Sequence, residues 1–358
     1  MSHVTRGSPE RPGPAIPPVR RLHAAGVRAT PLVEWVEVEA RSVLNRVRGM
    51  PFRWSINPYR GCQHRCVFCY ARRTHWFLDQ DGVQDWGTRI FVKVNAPEVL
   101  RQELAHPAWT REEVHIGTAT DPYQPAEGAY RLTRRILEVL RDFHTPASIV
   151  TRSTMIVRDL DVLRQLACGP GVTVCISIAT LEQALARQIE PDVPPPDRRL
   201  EALRTLADAA VPVGVLLAPV LPGLTDAPAQ LAAVVDAARA HGARWLWTNT
   251  LHLGDVTRQA FFAYLERWHP ELVEEYAALY RGKYAPRAYQ RHVQAVVAAI
   301  KRRAGFDGPA ADMTRRGAEH AAPRVGEARA LRVVAARSRR ACPVPPRAHP
   351  SSAQLSLF

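Results

Sequence analysis

The chain has 358 residues, enough to bury a full hydrophobic core, and its hydrophobic fraction of 46% is ordinary for a globular protein. No stretch approaches the roughly 18 consecutive apolar residues of a membrane helix, and residues 1–18 lack the apolar core of a secretory signal, so we expect a cytoplasmic protein without a membrane partner. The net charge of +14 favours nucleic acid as a partner, although an arginine-rich composition alone gives the same charge.

The first predicted element is a disordered arm rich in proline and arginine, residues 1–30. After it, short apolar runs predict six buried strands. They lie at residues 53–57, 114–119, 147–151, 172–178, 213–218 and 244–249. Together with the segments between them they form a predicted core domain, residues 31–250.

Helices are predicted between the strands, where apolar residues recur at helical spacing. In the last of these helices, before residue 240, we expect Thr225 or Asp226 to cap the N-terminus and Gly242 to follow the C-terminus. Alternating strands and helices predict a parallel sheet in an α/β fold. Periodicity alone leaves open whether the sheet forms part of a barrel or stays open and doubly wound, but both place functional residues at the carboxyl ends of the strands.

The residues after the predicted sheet divide into a helical block, 251–304, and a basic tail, 305–358, which we expect to be disordered. The helical block contains Trp268, Tyr276, Tyr280 and Tyr284. Large aromatic residues on helices more often pack in a core than serve as base-stacking platforms, and we expect core packing of these four.

Three cysteines, Cys62, Cys66 and Cys69, follow the first predicted strand with the spacing C-x-x-x-C-x-x-C. A loop this short cannot pair its cysteines without strain, whereas its thiolates can surround an iron-sulfur cluster. Three ligands leave one iron open for a further ligand. A Cys3His zinc site that uses His75 stays open as an alternative.

The cysteine loop resembles the motif of the radical S-adenosylmethionine (SAM) superfamily, C-x-x-x-C-x-aromatic-C, with Phe68 as the aromatic residue. The resemblance implies a partial (β/α)6 barrel with flexible extensions and a [4Fe-4S] cluster on Cys62, Cys66 and Cys69. It also implies that SAM binds the open iron, with Phe68 against the adenine, and is cleaved to a 5′-deoxyadenosyl radical that removes a substrate hydrogen. The reductant would be a protein such as flavodoxin or ferredoxin.

Residues 57–242 are similar to a narrower group, the spore photoproduct lyase-like branch, also described as DNA repair photolyase-like. This resemblance implies that residues at the strand ends bind the cofactor. Acceptors for the ammonium group of SAM would be Thr118, Thr120 and Asp121, and contacts to its carboxylate or ribose would come from Ser153, Ser177, Arg187 and Glu190.

Two residues are candidates for catalysis: Tyr70, through the same resemblance, and Cys175, through its place two residues before Ser177 on one face of the predicted strand. Tyr70 matches a tyrosine of the spore photoproduct lyases, and Cys175 is a candidate hydrogen donor, with a small buried strand residue as the alternative. The chain departs from those lyases because no cysteine lies between Cys69 and Cys168. Dimer repair is therefore not implied, and a nucleic acid, a small molecule and a protein all stay open as the substrate of a lyase-like reaction.

The last five residues, Gln354-Leu355-Ser356-Leu357-Phe358, resemble the bacterial sliding-clamp binding peptide. Leu355, Leu357 and Phe358 would enter a hydrophobic pocket and Gln354 would bond at its edge. The peptide supports a nucleic-acid-directed enzyme, and it fits equally a third hypothesis, a non-enzymatic zinc or iron-sulfur module that binds DNA or the clamp.

Overall fold

The computed structural model describes residues 33–78, 81–83 and 85–306. Within these ranges no helix is long and apolar enough to cross a membrane. The predicted N-terminal arm, the tail from residue 307 and the peptide with Gln354, Leu355, Leu357 and Phe358 lie outside the described residues, so the expectations for them stay predictions.

The strands begin before the cysteine loop and continue almost to residue 250. They are β1 (Glu34–Val38), β2 (Asn45–Arg46), β3 (Trp54–Ile56), β4 (Tyr59–Arg60), β5 (Arg89–Lys93), β6 (Val114–Ile116), β7 (Ala147–Thr151), β8 (Val172–Ser177), β9 (Val213–Val220) and β10 (Leu246–Thr250).

The helices alternate with the later strands and then continue alone. They are α1 (Ala96–Leu104), α2 (Ala126–Tyr130), α3 (Leu132–Asp142), α4 (Leu160–Cys168), α5 (Gln183–Ile189), α6 (Pro196–Asp208), α7 (Pro228–Ala240), α8 (Asp255–Trp268), α9 (Val273–Leu279) and α10 (Arg287–Arg303). Short 3-10 helices cover Tyr70–Leu78, Thr154–Asp159 and Pro270–Leu272.

The main sheet has the strand order β10-β9-β8-β7-β6-β3-β2, and all neighbours from β3 to β10 are parallel. Each new strand is therefore added beside the preceding one, without the reversal of order that defines a doubly wound sheet. The terminal parallel strands, β3 and β10, do not pair with each other. This arrangement is a partial (β/α)6 barrel, as the resemblance implies.

The two faces of the curved sheet differ in chemistry. On β8, Val172, Val174 and Ile176 belong to the large apolar core shared with the surrounding helices. Because side chains alternate along a strand, Cys175 and Ser177 lie on the opposite, inner face. Polar side chains at the carboxyl edge are thus separated from the core that stabilises the fold.

A three-stranded sheet, β1-β5-β4, stands beside the barrel and is absent from the six predicted strands. On β5 every second residue is buried, and β1 pairs with it in parallel, with Val36 opposite Phe91. The apolar stretches between charged residues are only two residues long in β1 and three in β5, shorter than the roughly four to eight residues of a recognisable buried strand. β4, Tyr59–Arg60, is too short to carry any pattern.

The predicted cap of α7 is wrong at its N-terminus. The N-cap residue is Ala227, and the Oγ1 of Thr225 and the Oδ1 of Asp226 accept hydrogen bonds from the backbone of the preceding turn instead. Pro228 starts the helix, where its missing N–H costs no hydrogen bond. Gly242 does follow the C-terminus as expected, with a φ of 87°.

The aromatic residues of the last helices do not all pack in the core. Tyr276 and Tyr280 are buried and their rings stack at 5.8 Å between centroids, as expected. Trp268 is 47% exposed and Tyr284 is 57% exposed, so the expectation is wrong for these two. Helical spacing does not distinguish them because they lie at the C-terminus of α8 and in the loop before α10.

A substitution at Gly117 tests the turn that ends β6. Its φ is +94°, and an added Cβ would lie 2.3 Å from the Val150 carbonyl oxygen. Backbone strain and this clash are each worth on the order of 1–3 kcal/mol. We expect Gly117→Ala to lower the free energy of unfolding by roughly 2 kcal/mol or more in urea titrations. Gly128→Ala is the matched control, because that Cβ meets only the end of Met155 at 3.7 Å; an equal loss in both variants would contradict the account.

Candidate active site

The cysteine loop lies at the carboxyl edge of the main sheet, just after β3 and β4. Cys62 and Cys66 are 7% and 5% exposed, and Cys69 packs against the apolar groups around both of them. Burial first, and the neighbouring Cys62 thiol second, raise the pKa of Cys69 to about 11. Burial likewise raises the pKa of Cys66 well above its ordinary value. In the folded chain the loop therefore presents neighbouring thiols in a water-poor setting, where a metal group must displace their protons.

Gln124 fixes the backbone at the start of the loop and is not among the residues predicted from the sequence. It is fully buried, and its Nε2 donates to the Gly61 carbonyl oxygen at 3.2 Å and to Thr120 Oγ1 at 2.8 Å. Its Oε1 accepts from the Gln63 amide at 3.0 Å. Thr120 Oγ1 itself donates to Gly61 at 2.6 Å. The predicted cofactor residue Thr120 thus holds the cysteine loop against the end of β6.

Further contacts fasten the rest of the loop to distant parts of the chain. Arg72 Nη2 donates to the Cys66 carbonyl oxygen at 3.1 Å, and Thr257 Oγ1 donates to that of Cys69 at 3.1 Å. Arg65 forms an ion pair with Asp192 in the loop after α5. Because α8 and the segment after α5 both contribute, the loop keeps its shape only in the complete fold.

Asp121 joins the cysteine loop to the neighbouring strand. Its Oδ1 accepts from the Tyr123 amide at 2.9 Å and from Thr151 Oγ1 at 2.7 Å, and its Oδ2 accepts from the Arg152 amide at 2.7 Å. His64 Nδ1 lies 3.3 Å from Oδ2, and both side chains are buried. Burial alone would raise the pKa of Asp121, but His64 and the other donors hold it below its ordinary value. The carboxylate is therefore negatively charged at the centre of the site.

A buried chain of charges crosses the site from α6 to Phe68. Glu190 is 2% exposed; its Oε1 accepts from Arg152 Nε at 2.8 Å and its Oε2 from Arg199 Nη2 at 2.7 Å. Arg199 also donates to the Ser177 carbonyl oxygen at 2.7 Å. The Arg152 guanidinium carbon lies 5.4 Å from the ring centroid of Phe68, a cation–π contact. Arg152 thus joins the predicted residues Glu190 and Phe68, and Arg199 joins Glu190 to the backbone of Ser177. Neither arginine was predicted from the sequence.

Arg199 does leave a signal in the sequence. On α6 it shares one face with Leu203 and Leu206, which are fully buried, so an arginine stands in the middle of the apolar stripe. A charge in such a position needs a buried partner. Arg152 directly follows β7, beside the predicted Ser153, and is likewise placed by a strand end.

Three further predicted residues, Ser177, Ser153 and Arg187, stand in three different surroundings. Ser177 is fully buried, and its Oγ finds no hydrogen-bond partner in the described part of the chain. Ser153 is used locally, because its Oγ accepts from the Met155 amide at 3.2 Å and caps a 3-10 helix. Arg187 stands exposed on α5, so the structure places its side chain in solvent, unlike that of Glu190.

Thr118, Tyr70 and Cys175 complete the set. Thr118 Oγ1 accepts from Asn57 Nδ2 at 3.0 Å, and its carbonyl oxygen accepts from the hydroxyl of Tyr70, which is 54% exposed. Cys175 lies deeper on the inner face of β8, where its Sγ accepts from Trp245 Nε1 at 3.4 Å. Burial raises the pKa of Cys175 to about 12, and its thiol is protonated near neutral pH.

No three His, Cys, Asp or Glu side chains in residues 33–78, 81–83 and 85–306 are grouped as ligands of a single metal ion, with the side chain of His75 not described. The cysteines are nevertheless neighbours in one loop.

Residues 56–235 match the family model of the Radical SAM superfamily, which covers half of the chain. The chain belongs to this superfamily. Membership implies SAM and an iron-sulfur cluster as cofactors, and it classes the chain with enzymes.

Individual relatives cover most of the chain. It is 40% identical over 293 residues to an uncharacterized protein of Mycobacterium tuberculosis (strain ATCC 25618 / H37Rv), across 80% of this chain and 86% of that protein. It is 26% identical over 275 residues to an uncharacterized protein of Methanocaldococcus jannaschii, across 76% of this chain and 95% of that one. A solved structure, spore photoproduct lyase complexed with dinucleoside spore photoproduct, is similar with a TM-score of 0.58 and 15% identity, covering 75% of this chain and 79% of that chain. At that identity the likeness shows the shared fold.

Proposed function

We propose that this protein reductively cleaves SAM at a [4Fe-4S] cluster held by Cys62, Cys66 and Cys69 and abstracts a hydrogen atom from a nucleic-acid substrate. The observation that carries the proposal is the position of the three thiols: they stand together in a buried loop at the carboxyl edge of a parallel (β/α)6 barrel. Ligands of such barrels bind at this edge. When bound, the cluster and SAM would supply a 5′-deoxyadenosyl radical.

The residues around the loop fit these two cofactors. The Ser177 hydroxyl is buried and has no hydrogen-bond partner among the described residues, which is costly unless a ligand satisfies it. Arg152 is held by Glu190 beside Phe68, so a fixed positive charge and an aromatic face stand next to each other. A carboxylate and an adenine ring, both parts of SAM, need such groups. We infer that Ser177, Phe68 and Glu190 serve the cofactor, Glu190 through Arg152.

The remaining cofactor assignments stay proposals. Thr118, Thr120 and Asp121 are already bonded within the chain, so an ammonium group would exchange partners with them rather than meet free acceptors. The Ser153 hydroxyl is used as a cap, and the exposed Arg187 would have to fold back from α5.

Two residues are proposed to act in catalysis. Cys175 is a protonated thiol on the inner face of the barrel, a chemical form that can give up a hydrogen atom. Tyr70 follows the third cysteine directly and is exposed beside Thr118, where a substrate can reach its ring. A flavodoxin or ferredoxin is proposed as reductant, and the sliding clamp as a partner of the terminal peptide.

Nucleic acid is favoured as the substrate class by the net charge of +14 and by the fold shared with a lyase whose structure contains a dinucleoside photoproduct. A SAM radical enzyme acting on a small molecule or protein is the second candidate. A non-enzymatic zinc or iron-sulfur module is the third.

The test is formation of 5′-deoxyadenosine by the full chain after anaerobic cluster reconstitution and reduction with dithionite. We expect 5′-deoxyadenosine from SAM in the reduced sample and none without reductant. Adding single-stranded DNA is expected to raise its rate, because a bound substrate captures the radical. Formation that DNA leaves unchanged would support the second candidate, and a stoichiometric zinc ion with no 5′-deoxyadenosine would support the third.

A further inference from the structure

An open groove lies in the loop between α9 and α10. Its wall is formed by Ala278, Leu279, Arg281, Gly282, Tyr284 and Pro286, and its volume is about 460 Å³. This volume lies within the range of small-ligand pockets, roughly 300–1,000 Å³. None of the groups assigned above to SAM or to the cluster lines it, so the groove is a separate feature of the surface.

The groove is attached to the same edge of the barrel as the cysteine loop. His252, two residues beyond the carboxyl end of β10, forms an antiparallel bridge with Tyr284, and the Leu253 amide donates to the Lys283 carbonyl oxygen at 2.8 Å. The same segment leads into α8, where Thr257 binds the carbonyl oxygen of Cys69. A ligand in the groove would therefore lie along the edge that holds the three thiols.

The loop after α9 and the first turns of α10 carry the cations beside the groove, whereas α9 on its other side carries the exposed Glu274 and Glu275. Residues 276–306 contain no Asp or Glu and seven basic residues: Arg281, Lys283, Arg287, Arg291, Lys301, Arg302 and Arg303. The first four of these are exposed. A run of cations without acids attracts a polyanion. Because these cations follow one another along the loop and the first turns of α10, they define the direction in which a bound polyanion would lie.

The exposed ring of Tyr284 gives the groove a second kind of recognition. The ring is 57% exposed, with Lys283 Nζ 5.5 Å from its centroid and the His252 ring tilted against it at 4.8 Å and 63°. The turn behind it is fixed, because Arg258 Nη2 donates to the Gly282 carbonyl oxygen at 3.1 Å. Aromatic rings held among cations bind single-stranded nucleic acid by stacking on its bases. An acidic protein partner would use the cations but leaves the aromatic groove unexplained.

We propose that this groove binds single-stranded nucleic acid, with one unpaired base against Tyr284 and the backbone phosphates along Arg281, Lys283 and Arg287. The inference rests on the proposed nucleic-acid substrate and adds where the strand enters. Binding in the groove implies that the base to be modified belongs to a strand that is already unpaired when it reaches the barrel edge with the cysteine loop.

The test measures binding of a fluorescent oligothymidine by the full, reconstituted protein through anisotropy over a range of salt concentrations. Stacking is worth about 1–3 kcal/mol per base, so we expect Tyr284→Ala to weaken binding roughly 5-fold or more and Tyr284→Phe to bind almost like the wild type. The double variant Lys283→Ala/Arg287→Ala is expected to lower the slope of log K against log salt by about 1.4, or about 0.7 per lost cation.

Trp268→Ala is the matched control, because Trp268 is also exposed and has Arg267 over its ring at 5.2 Å, but at the far end of α8. The proposal that the groove binds single-stranded nucleic acid is overturned by any of three results. These are an unchanged DNA affinity of Tyr284→Ala, an equal loss of affinity in Tyr284→Ala and Trp268→Ala, and no DNA binding by the wild type. Formation of 5′-deoxyadenosine with dithionite is measured in parallel, and its persistence shows that the radical function stands even then. The double variant Lys283→Ala/Arg287→Ala is also assayed for 5′-deoxyadenosine formation with reduced flavodoxin as the electron donor. If this activity is lost while the DNA affinity is kept, the surface binds the reductant and the proposal fails.

Discussion

Replacing Cys66 with alanine is expected to remove the iron-sulfur cluster and to lower 5′-deoxyadenosine formation more than about 100-fold. Loss of a supporting residue around a metal centre already costs 10–100-fold, and Cys66 is proposed as a direct ligand. The structure offers no nearby substitute among the other described cysteines, because Cys175 lies in the barrel interior against Trp245 and Cys168 is the last residue of α4. Iron content and product formation, each measured after anaerobic reconstitution, give the two readouts.

Cys175→Ala is the matched control for iron content. Cys175 is buried like Cys66, at 3% against 5% exposed, but it lies outside the cysteine loop. We expect this variant to bind as much iron as the wild type. Equal iron loss in both variants would mean that thiol removal acts through general misfolding, and full iron in Cys66→Ala would remove Cys66 from the ligand set.

The second large effect is expected at Glu190, whose removal leaves two buried guanidinium groups unpaired. Arg199 is 1% exposed and Arg152 is 21% exposed at the side chain, so water cannot fully replace the carboxylate. Breaking a buried ion pair from one side costs about 3–5 kcal/mol. We therefore expect Glu190→Ala to lower the free energy of unfolding by an amount of this order in urea titrations, with the cluster content matched between samples.

Glu201→Ala is the control, since its ion pair with Arg198 on the same helix is exposed, and exposed pairs contribute at most about 1 kcal/mol.

Burial acts to raise the pKa of Glu190, but Arg199 and Arg152 hold it below its ordinary value. A lowered folded pKa stabilises the fold above the pKa of the unfolded carboxyl group, and this contribution is lost as the pH falls through the folded value. The difference in the free energy of unfolding between Glu190→Ala and the wild type should therefore shrink in acid. A difference that is negligible, or that does not change with pH, would contradict the buried ion pairs of Glu190 with Arg152 and Arg199.

The barrel was accessible from the sequence because its strands are buried on both faces. Residues 147–151 and 172–178 combine apolar residues with small Ser, Thr or Cys and carry no charge, and the structure has β7 and β8 there. The additional sheet was not accessible, since the apolar stretches of β1 and β5 between charged residues are only two and three residues long, and the strands are recognised only through each other. The α7 cap failed for a similar reason: Thr225 and Asp226 have closer partners in the turn before the helix.

The cysteines could be predicted because their chemistry is local, within eight residues of the chain. The chain Arg152–Glu190–Arg199 could not, because three separate segments contribute one side chain each and nothing in the sequence pairs them. Gln124 likewise acts on Gly61, at a distance of 63 residues in sequence. The exposure of a side chain also depends on the complete fold. For this reason Tyr284 was expected in the core, whereas it stands on the surface beside the barrel edge that holds the cysteine loop.

We propose that the loop with Cys62, Cys66 and Cys69 holds a four-iron cluster with one iron open to SAM. Mössbauer spectra of the reconstituted full chain, recorded with and without SAM, test it most directly. We expect about four irons per chain, one of which changes its signal when SAM is added. A chain that binds one zinc ion and no iron, or a four-iron cluster whose spectrum SAM leaves unchanged, would contradict it.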